Sequence, residues 1–386
     1  MRFLQVLAVV MAAAAVTMCV PRGAAAKDSP EEVLARIQVP DGFTVSIFAT
    51  GLRNGRSLRL GDNGTVFVGT KEAGAVYAVV DEDGDYVADK TYTLIEDGQK
   101  LPDGSDIVEP NGIALLDGDL YVAATGTIFR LDDIESNLAN PPAPIVVTDE
   151  LPEDRWHGWK FVGFGPDGKL YVPVGAPCNV CERDPIYATI NRMNPDGSGL
   201  QTVARGVRNS VGFDWHPETG ELWFTDNGRD TMGDNMPGDE LNRISEPGQH
   251  FGFPYVHQGD TLDPYYGEGR DPASYTAPEI VLGPHVAALG MRFYTGAMFP
   301  AEYENQIFIA EHGSWNRREK IGYRVTLVRL ENGRAVSYEP FADGWLDGKR
   351  AYGRPADVLV MPDGWLLVSD ERNGITLRFT YDGWCL

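Results

Sequence analysis

The sequence predicts an all-β fold, a six-bladed β-propeller with a long loop insertion after the fourth repeat. Two observations support this prediction: a turn-and-strand motif recurs six times, and no ten-residue helical periodicity follows Gly42. Each copy joins a turn of Pro, Asp, Asn or Gly to a short β-rich strand, as a tight turn that leads into a hairpin does. The copies begin at Gly61, Leu116, Gly165, Pro217, Glu304 and Pro362.

The spacing of the copies is the third observation. Their aromatic or apolar anchors lie at positions 67, 121, 171, 223, 308 and 366, with separations of 54, 50, 52, 85 and 58 residues. A period of about 40 to 50 residues with several strands per unit is typical of a β-propeller. The 85-residue gap predicts an insertion over about residues 228–295, and its many aromatic residues indicate ordered loops. Because propeller loops meet around one mouth, distant residues can build a single site.

Residues 1–26 have the pattern of a cleaved export signal, and residues 27–386 are predicted to form a single propeller domain. Arg2 gives the positive region, Leu4 to Val16 the apolar stretch, and Ala24 to Ala26 the cleavage site. The apolar stretch falls short of the about 20 residues that span a bilayer. We therefore expect cleavage near Ala26, a periplasmic or secreted protein, and no membrane span.

The two ends of the remaining chain are predicted to lie beside the blades. Residues Pro30 to Ile37 form a short amphipathic pattern, which predicts a helix on the outside of the propeller. The stretch Ile375 to Tyr381 has the composition of a strand, and Phe43 to Phe48 is its candidate partner. Pairing of these two segments would close the ring.

The charge and the cysteines exclude several classes of function. A formal net charge of −23 argues against nucleic acid and anionic membrane surfaces as partners, and it favours bound cations. Cys178 and Cys181 form a C-x-x-C without the further ligands of a zinc site or the βαβ context of a redox motif. A local disulfide is the expectation in an oxidising compartment, with Cys19 lost with the signal and Cys385 left over.

Several polar motifs lie at equivalent places beside the repeat strands, where the loops of a propeller form its mouth. His157, between Trp156 and Gly158, precedes the third copy and is a candidate proton acceptor or a packed structural histidine. Arg208 and Asn209 precede the fourth copy and suit a ligand with carboxylates and carbonyls, or a surface salt bridge. Glu311 to Arg317 and Gly353 to Val358 flank the fifth and sixth strands.

Two stretches have the composition of Ca²⁺ sites. The turn Thr225 to Asp230, with Asp239 and Glu240 downstream, offers carbonyl and carboxylate oxygens, although a solvated acidic loop would look the same. The second stretch is residues 81–89. An EF-hand loop that began at Asp81 would have a bidentate Glu at its twelfth position, where this chain has Tyr92, so the stretch predicts a structural ion site of another kind. Its candidate metal ligands are Asp81, Asp83, Asp85 and Asp89.

In this order the motifs resemble those of the soluble sugar dehydrogenases that depend on pyrroloquinoline quinone, and more closely their sorbosone dehydrogenase branch. The resemblance runs from about Gly42 to Tyr381, and its most specific stretches are 157–175, 205–226, 239–242, 251–254 and 313–317. It implies a six-bladed propeller with the quinone in the mouth and Ca²⁺ beside it. It also implies a sugar as the substrate, and we expect electrons to pass to a soluble acceptor.

The resemblance assigns roles residue by residue. His157 matches the general base that takes the hydroxyl proton of the sugar while hydride passes from the same carbon to the quinone. Arg208 and Asn209 match the quinone-binding pair, and Arg354 matches a quinone-binding arginine. The remaining implied metal ligands are the carbonyls of Gly228 and Arg229, for the Ca²⁺ of the quinone, and Glu240, for a structural Ca²⁺.

The chain departs from the glucose-oxidising members at three places. Val211 replaces a Gln, Ala356 replaces a second arginine, and His312 lies near the expected lysine, with Arg317 close by. His312 and Arg317 are therefore the candidates for the cofactor contact of that lysine. An altered quinone pocket would favour a non-catalytic propeller that binds a partner or glycan. A Ca²⁺-dependent hydrolase of the lactonase type is the third hypothesis, and it has little need for the arginines at the mouth.

Overall fold

The computed structural model describes residues 28–383, so the predicted signal, Cys19 and Cys385 lie outside the described residues. The first element is α1 (Pro30–Leu34), shorter than the predicted helix. Ser29 caps it, because its Oγ accepts a hydrogen bond from the Glu32 amide while the Glu32 carboxylate accepts one from the Ser29 amide. Among residues 28–383, no helix is long and apolar enough to cross a membrane.

Six sheets in the described part of the chain form the blades of a β-propeller, which confirms the predicted fold. Strand β1 (Phe43–Ala49) comes first and joins the last blade. Blade 1 contains β2 (Gly55–Leu60), β3 (Val66–Thr70), β4 (Val76–Val80) and β5 (Lys90–Ile95). Blade 2 contains β6 (Gly112–Leu116), β7 (Asp119–Ala123), β8 (Ile128–Leu131) and β9 (Ile145–Thr148). Blade 3 contains β10 (Gly163–Phe164), β11 (Leu170–Val174), β12 (Thr189–Met193) and β13 (Gln201–Arg205).

The fourth blade holds the insertion. It begins with β14 (Phe213–Trp215), β15 (Leu222–Asp226) and β16 (Glu240–Ile244). The insertion follows with β17 (Gln249–His250), β18 (Val256–His257) and β19 (Thr261–Leu262), and β20 (Ile280–Val281) completes the blade. Strand β17 pairs in parallel with β13 and so extends blade 3. The predicted insertion is thus ordered, and it lies within blade 4 rather than between two blades.

The last two blades and the connections complete the chain. Blade 5 contains β21 (Ala288–Phe293), β22 (Ile307–Glu311), β23 (Arg324–Glu331) and β24 (Arg334–Ala342). A hairpin of β25 (Leu346–Asp347) and β26 (Arg350–Ala351) leads to blade 6, which contains β27 (Pro355–Val360), β28 (Leu366–Asp370) and β29 (Ile375–Tyr381). Short 3₁₀ helices occupy Ile134–Ser136, Pro272–Ser274 and Ala301–Tyr303. The six predicted repeat strands are β3, β7, β11, β15, β22 and β28, each the second strand of its blade.

The ring closes as predicted, by pairing of the two ends of the chain. Strand β1 runs antiparallel to β29, with Phe43 opposite Tyr381 and Ile47 opposite Leu377. The Phe43 ring also packs edge-on against Phe341, with 5.0 Å between the ring centroids. Burial of such aromatic side chains contributes most of the stability of a contact of this kind.

Buried charged groups join the blades at the centre of the ring. Arg59 on β2 is partly buried, and its guanidinium donates to the carbonyls of Ile113 in blade 2 and Val162 at the start of blade 3, at 3.3 and 2.9 Å. Burial lowers the pKa of Arg59 to about 10. One side chain therefore holds three blades together.

A second set of contacts continues around the ring. Arg292 in blade 5 pairs with Asp357 in blade 6 at 3.3 Å, and Asp357 also accepts a hydrogen bond from the Leu58 amide in blade 1. Asp214 in blade 4 accepts one from the Phe293 amide in blade 5. Burial raises the pKa of both carboxyl groups, since a charge in this interior is costly unless it is paired.

Loss of the Asp357 carboxylate should destabilise the protein strongly. Asp357→Ala leaves Arg292 buried without its partner, and breaking a buried pair from one side costs about 3–5 kcal/mol. Urea unfolding followed by tryptophan fluorescence measures the loss. Asp62→Ala, at an exposed turn of blade 1, is the control and should change little. A loss at Asp357 no larger than at Asp62 would contradict the role given to the central charges.

Candidate active site

The loops at one end of the ring enclose a cavity of about 210 Å³, here called the mouth cavity. Its walls come from blade 1, from the segments before blades 3 and 4, from the β15–β16 loop and from blades 5 and 6. Its side chains include Arg56, Lys71, His157, Trp159, Arg208, Asn209, Asn227, Asp230, Asp239, His285, Leu289, His312, Trp315, Asn316 and Arg354. Four of these residues are Arg or Lys and two are Asp, so the cavity is cation-rich in a chain of net charge −23.

His157 is held in one orientation by its two ring nitrogens. Trp156 Nε1 can only donate, so His157 Nε2 accepts its hydrogen bond at 3.1 Å. In the neutral ring the proton is therefore on Nδ1, which donates to the carbonyl of Ala176 at 2.7 Å. Gly175 allows this approach, because a Cβ there would lie 2.6 Å from the Cβ of His157. The available lone pair thus belongs to Nε2.

The surroundings of His157 keep its ring neutral. Burial lowers the pKa of His157 well below its ordinary value, and the positive charges of Arg208 and Lys71 lower it further, against the hydrogen bond to Ala176. Lys71 also lies over the Trp159 ring, with Nζ 4.0 Å from the ring centroid. A neutral imidazole with an unprotonated Nε2 can act as a proton acceptor near neutral pH once the Trp156 indole leaves that nitrogen.

Arg208 and Asn209 are fixed by one buried carboxylate. Asp226 at the end of β15 accepts hydrogen bonds from the amides of Arg208 and Asn209, at 2.8 and 2.6 Å. The Arg208 guanidinium then makes four contacts, with Asn179, Asn227 and Asp230. An arginine has five N–H donors, so one remains for a ligand in the mouth cavity.

The loop after β15 surrounds the predicted quinone-linked metal site. Asp239 accepts hydrogen bonds from the amides of Gly228 and Ala287, at 2.9 and 2.7 Å, and burial raises its pKa to about 7. Gly228 lines the mouth cavity together with Asp239. The Arg229 side chain does not line it, because its guanidinium pairs with the buried carboxylate of Asp263.

Glu240 lies behind the mouth cavity, opposite Asp226 across the β15–β16 pair. A void of about 10 Å³, enough for one water or ion, is lined by both residues. Burial raises the pKa of Asp226 to about 7 and that of Glu240, with help from the Asp226 charge, to about 8. Two facing buried acids are a donor set that a bound proton or cation would stabilise.

His312 and Arg354 belong to a second charged group in the mouth cavity. Arg354 Nη1 donates to His312 Nδ1 at 3.2 Å, so His312 carries its proton on Nε2 and donates to Glu371. Arg56 also contacts Glu371, at 2.8 Å. Although burial acts to raise it, the charge of Arg56 and the hydrogen bond from His312 lower the pKa of Glu371 below its usual range. The buried Glu371 carboxylate thus holds Arg56 and His312 directly, and His312 in turn contacts Arg354.

Arg317 is not brought into the mouth cavity. Its guanidinium donates to the carbonyls of Glu319 and Asp234. The preceding residue, Asn316, lines the cavity instead, and its amide donates to Asp230 at 2.7 Å. Arg317 is thus not among the residues that line the mouth cavity, where the predicted cofactor contact would have to lie.

The two departures, Val211 and Ala356, belong to one apolar cluster with Leu289 and Trp159, here called the apolar floor. Both side chains are buried and cluster with Leu289, and Trp159 packs against them. Leu289 and Trp159 line the mouth cavity. The two apolar side chains that stand where the resemblance implies polar ones therefore pack in the same buried cluster.

The acidic loop of blade 1 lies at the opposite end of the ring. Carboxylate oxygens of Asp81, Asp83 and Asp89 lie within 4.8 Å of one another, close enough to share an ion. Asp85 does not join this group and accepts a hydrogen bond from the Val87 amide. Three of the four predicted ligands are thus brought together.

Arg56 and Lys71 are cavity residues that the motifs did not predict. Arg56 lies at the start of the first strand of blade 1, as Arg354 does beside the first strand of blade 6, and Lys71 directly follows the first repeat strand, as His312 follows the fifth. A comparison of equivalent positions in the six copies could therefore have found both residues.

The predicted disulfide between Cys178 and Cys181 is present. A larger hollow of about 370 Å³ lies beside its loop, and no residue assigned from the resemblance lines it.

The profile of the family described as Glucose / Sorbosone dehydrogenase matches residues 145–378, more than half of the chain. The chain belongs to the glucose/sorbosone dehydrogenase family. The family resemblance stated from the motifs is therefore confirmed. An uncharacterized protein of Borreliella burgdorferi is 32% identical over 367 residues, which cover 91% of this chain and 93% of that protein.

Solved structures of family-like enzymes share the fold. The calcium structure of a Trichoderma reesei enzyme of Carbohydrate-Active Enzymes Family AA12 aligns with a TM-score of 0.75, at 18% identity over 90% of this chain and 97% of that one. The holo form of the pyranose dehydrogenase PQQ domain from Coprinopsis cinerea aligns with a TM-score of 0.72, at 17% identity over 89% and 97%. At these identities the likeness establishes the propeller architecture.

Proposed function

We propose that the protein is a dehydrogenase that uses pyrroloquinoline quinone and Ca²⁺ to oxidise an aldose or a related hydroxy-aldehyde, with His157 as the general base. The observation that carries the proposal is a neutral, oriented histidine in a cation-rich cavity of a strongly acidic chain. Membership of the sugar dehydrogenase family supports the reaction class. The pyranose dehydrogenase neighbour, which is described with this quinone, supports the cofactor.

The residues of the mouth cavity suit a polyanionic quinone. Four side chains supply positive charge on different sides of the cavity: Arg56, Lys71, Arg208 and Arg354. They can donate directional hydrogen bonds to the carboxylates of the quinone. The apolar floor of Leu289 and Trp159 suits the flat ring system. Bound there, the quinone would supply the electron sink for hydride from the sugar carbon.

Ca²⁺ has two candidate places near this cavity. Gly228 and Asp239 line the mouth and offer a carbonyl and a carboxylate there, next to the Arg229 carbonyl that the resemblance assigns, and Asp226 with Glu240 offers two carboxylates behind it. The Trichoderma reesei neighbour is described as a calcium structure. A mouth that combines arginines with these acids distinguishes the proposal from a lactonase-type hydrolase, which has no use for the excess positive charge.

His157 would take the proton from the hydroxyl group of the sugar through Nε2. The Nδ1–H bond to the Ala176 carbonyl orients the ring and would stabilise the imidazolium as it forms. Trp156 now donates to Nε2, where the substrate hydroxyl must donate, and its indole is half exposed. The indole would therefore leave Nε2 when the sugar binds.

His157→Asn should remove turnover without disturbing the fold. His157 has φ of 54°, a backbone region that Asn tolerates well, and loss of a general base lowers kcat by about 10²–10⁴-fold. Dye reduction with a panel of aldoses, after loading with quinone and Ca²⁺, measures the loss. The affinity for the quinone should stay near that of the wild type.

His285→Asn is the matched control, because His285 has φ of 65° in the same cavity but uses Nε2 to donate to the Gly233 carbonyl. It should cost far less activity than His157→Asn. Near-native turnover in His157→Asn would refute the assignment of the base. Tight quinone binding without turnover on any sugar in the wild type would favour the non-catalytic propeller.

The pH profile should show a base with a lowered pKa. Activity needs the neutral ring, so kcat/KM should fall as the pH drops through the pKa of His157. Burial and Arg208 place that pKa below the ordinary value of 6.5. The acid limb of the kcat/KM profile should therefore lie below pH 6.5, and a limb at or above this value would contradict the environment described for His157.

Trp156→Phe tests whether the indole competes with the substrate. Phe keeps a ring and loses the N–H, so the gain in kcat/KM should match one hydrogen bond of about 0.5–1.5 kcal/mol, or about 2- to 10-fold. Steady-state kinetics with the best sugar measure the change. A fall in kcat/KM would mean that the N–H orients His157 rather than blocks it.

A further inference from the structure

The loop closed by the Cys178–Cys181 disulfide contributes no residue to the assigned chemistry, yet it lies against the mouth cavity. The disulfide spans two residues, Asn179 and Val180. The loop follows β11 and Ala176, the residue whose carbonyl orients His157. Asn179 makes the hydrogen bonds that connect this loop to Arg208 and Asp230.

Asn179 holds one edge of the Arg208 guanidinium with two oxygen acceptors. Arg208 Nε donates to the Asn179 backbone carbonyl at 2.9 Å, and Arg208 Nη2 donates to Asn179 Oδ1 at 3.1 Å. Two of the four contacts of this guanidinium therefore come from one residue. They fix the plane of the guanidinium and hence the direction of its remaining N–H.

The same side chain also holds the metal loop. The Asp230 amide donates to Asn179 Oδ1 at 2.8 Å, and Asn179 Nδ2 donates to the Asp230 carbonyl at 3.1 Å. Asp230 in turn contacts Arg208 and Asn316. Only a side chain with both an acceptor and a donor can make this pair of bonds, and Asn has both.

We propose that Asn179 is a positioning residue that couples Arg208 to the loop of Gly228 to Asp230, and that the Cys178–Cys181 disulfide holds Asn179 in place. The proposal rests on the proposed function, in which Arg208 meets the quinone and the loop meets Ca²⁺. A closed loop of four residues has few backbone conformations. The disulfide therefore preorganises an arginine and a metal loop that belong to different segments, and binding the two ligands becomes mutually favourable.

Two variants separate the side chain from the covalent link. Asn179→Ala keeps the disulfide and the backbone carbonyl but removes the four hydrogen bonds of the side chain, which include one from Nδ2 to Thr231 Oγ1 at 3.4 Å. The double variant Cys178→Ser and Cys181→Ser keeps the side chain but frees the loop. Val180→Ala is the matched control, since it changes the neighbouring residue of the same loop and removes none of these bonds.

Calorimetric titration with pyrroloquinoline quinone and with Ca²⁺, each with and without the other, is the first readout. We expect Asn179→Ala and the double serine variant to weaken quinone affinity by about tenfold or more, as loss of hydrogen bonds to a charged group does. The gain in quinone affinity that Ca²⁺ gives the wild type should shrink in both. Val180→Ala should bind as the wild type does.

Amide hydrogen exchange of the ligand-free proteins is the second readout, and it does not depend on the proposed function. Peptides over 206–212 and 226–231 should exchange faster in Asn179→Ala and in the double serine variant, with the far blades unchanged. Wild-type exchange in both segments for Asn179→Ala would overturn the proposal. If the wild type bound no quinone, the proposed function would fail, while faster exchange would still support the coupling. If the double variant did not fold, Asn179→Ala alone would decide.

Discussion

Six blades share one mouth because buried charged groups join their inner strands at the centre of the ring. Arg59 reaches blades 2 and 3, and the Arg292–Asp357 pair joins blades 5 and 6. Arg56 lies three residues before Arg59 on β2, and Arg354 lies three residues before Asp357, directly before β27. The positions of the two mouth arginines therefore follow from the pairing below them. Without these central pairs the blades could still form a ring, but Arg56 and Arg354 would not be held at fixed positions in the mouth cavity.

Pairs of an arginine and a carboxylate also occur at the mouth. Two of the cations that face the cavity pair with an acid: Arg56 with the buried Glu371, and Arg208 with Asp230. These acids allow positive charge to accumulate in a confined place. The charge has two effects, because it favours an anionic ligand and also lowers the pKa of His157. Binding and proton transfer thus depend on one electrostatic field.

The sequence predicted the blades well because turn composition and strand spacing are local signals. Ring closure, the insertion and the cavity residues His157, Arg208 and Arg354 followed from the repeat and the resemblance. Arg317 was misplaced, since the repeat locates a loop but does not say which of two neighbouring side chains faces inward. The role of Asn179 depends on contacts across 29 and 51 residues of sequence, which no local pattern reveals. The packing of Val211 with Ala356 is equally non-local.

The central claim is that the cation-rich mouth binds a quinone beside His157. A crystal structure of the protein grown with pyrroloquinoline quinone and Ca²⁺ tests it most directly. The account predicts quinone density in the mouth cavity, with its carboxylates on Arg56, Arg208 and Arg354, a reacting face open to His157 Nε2, and Ca²⁺ at the Gly228 loop. An empty mouth at saturating quinone, or quinone bound only at another surface, would contradict it.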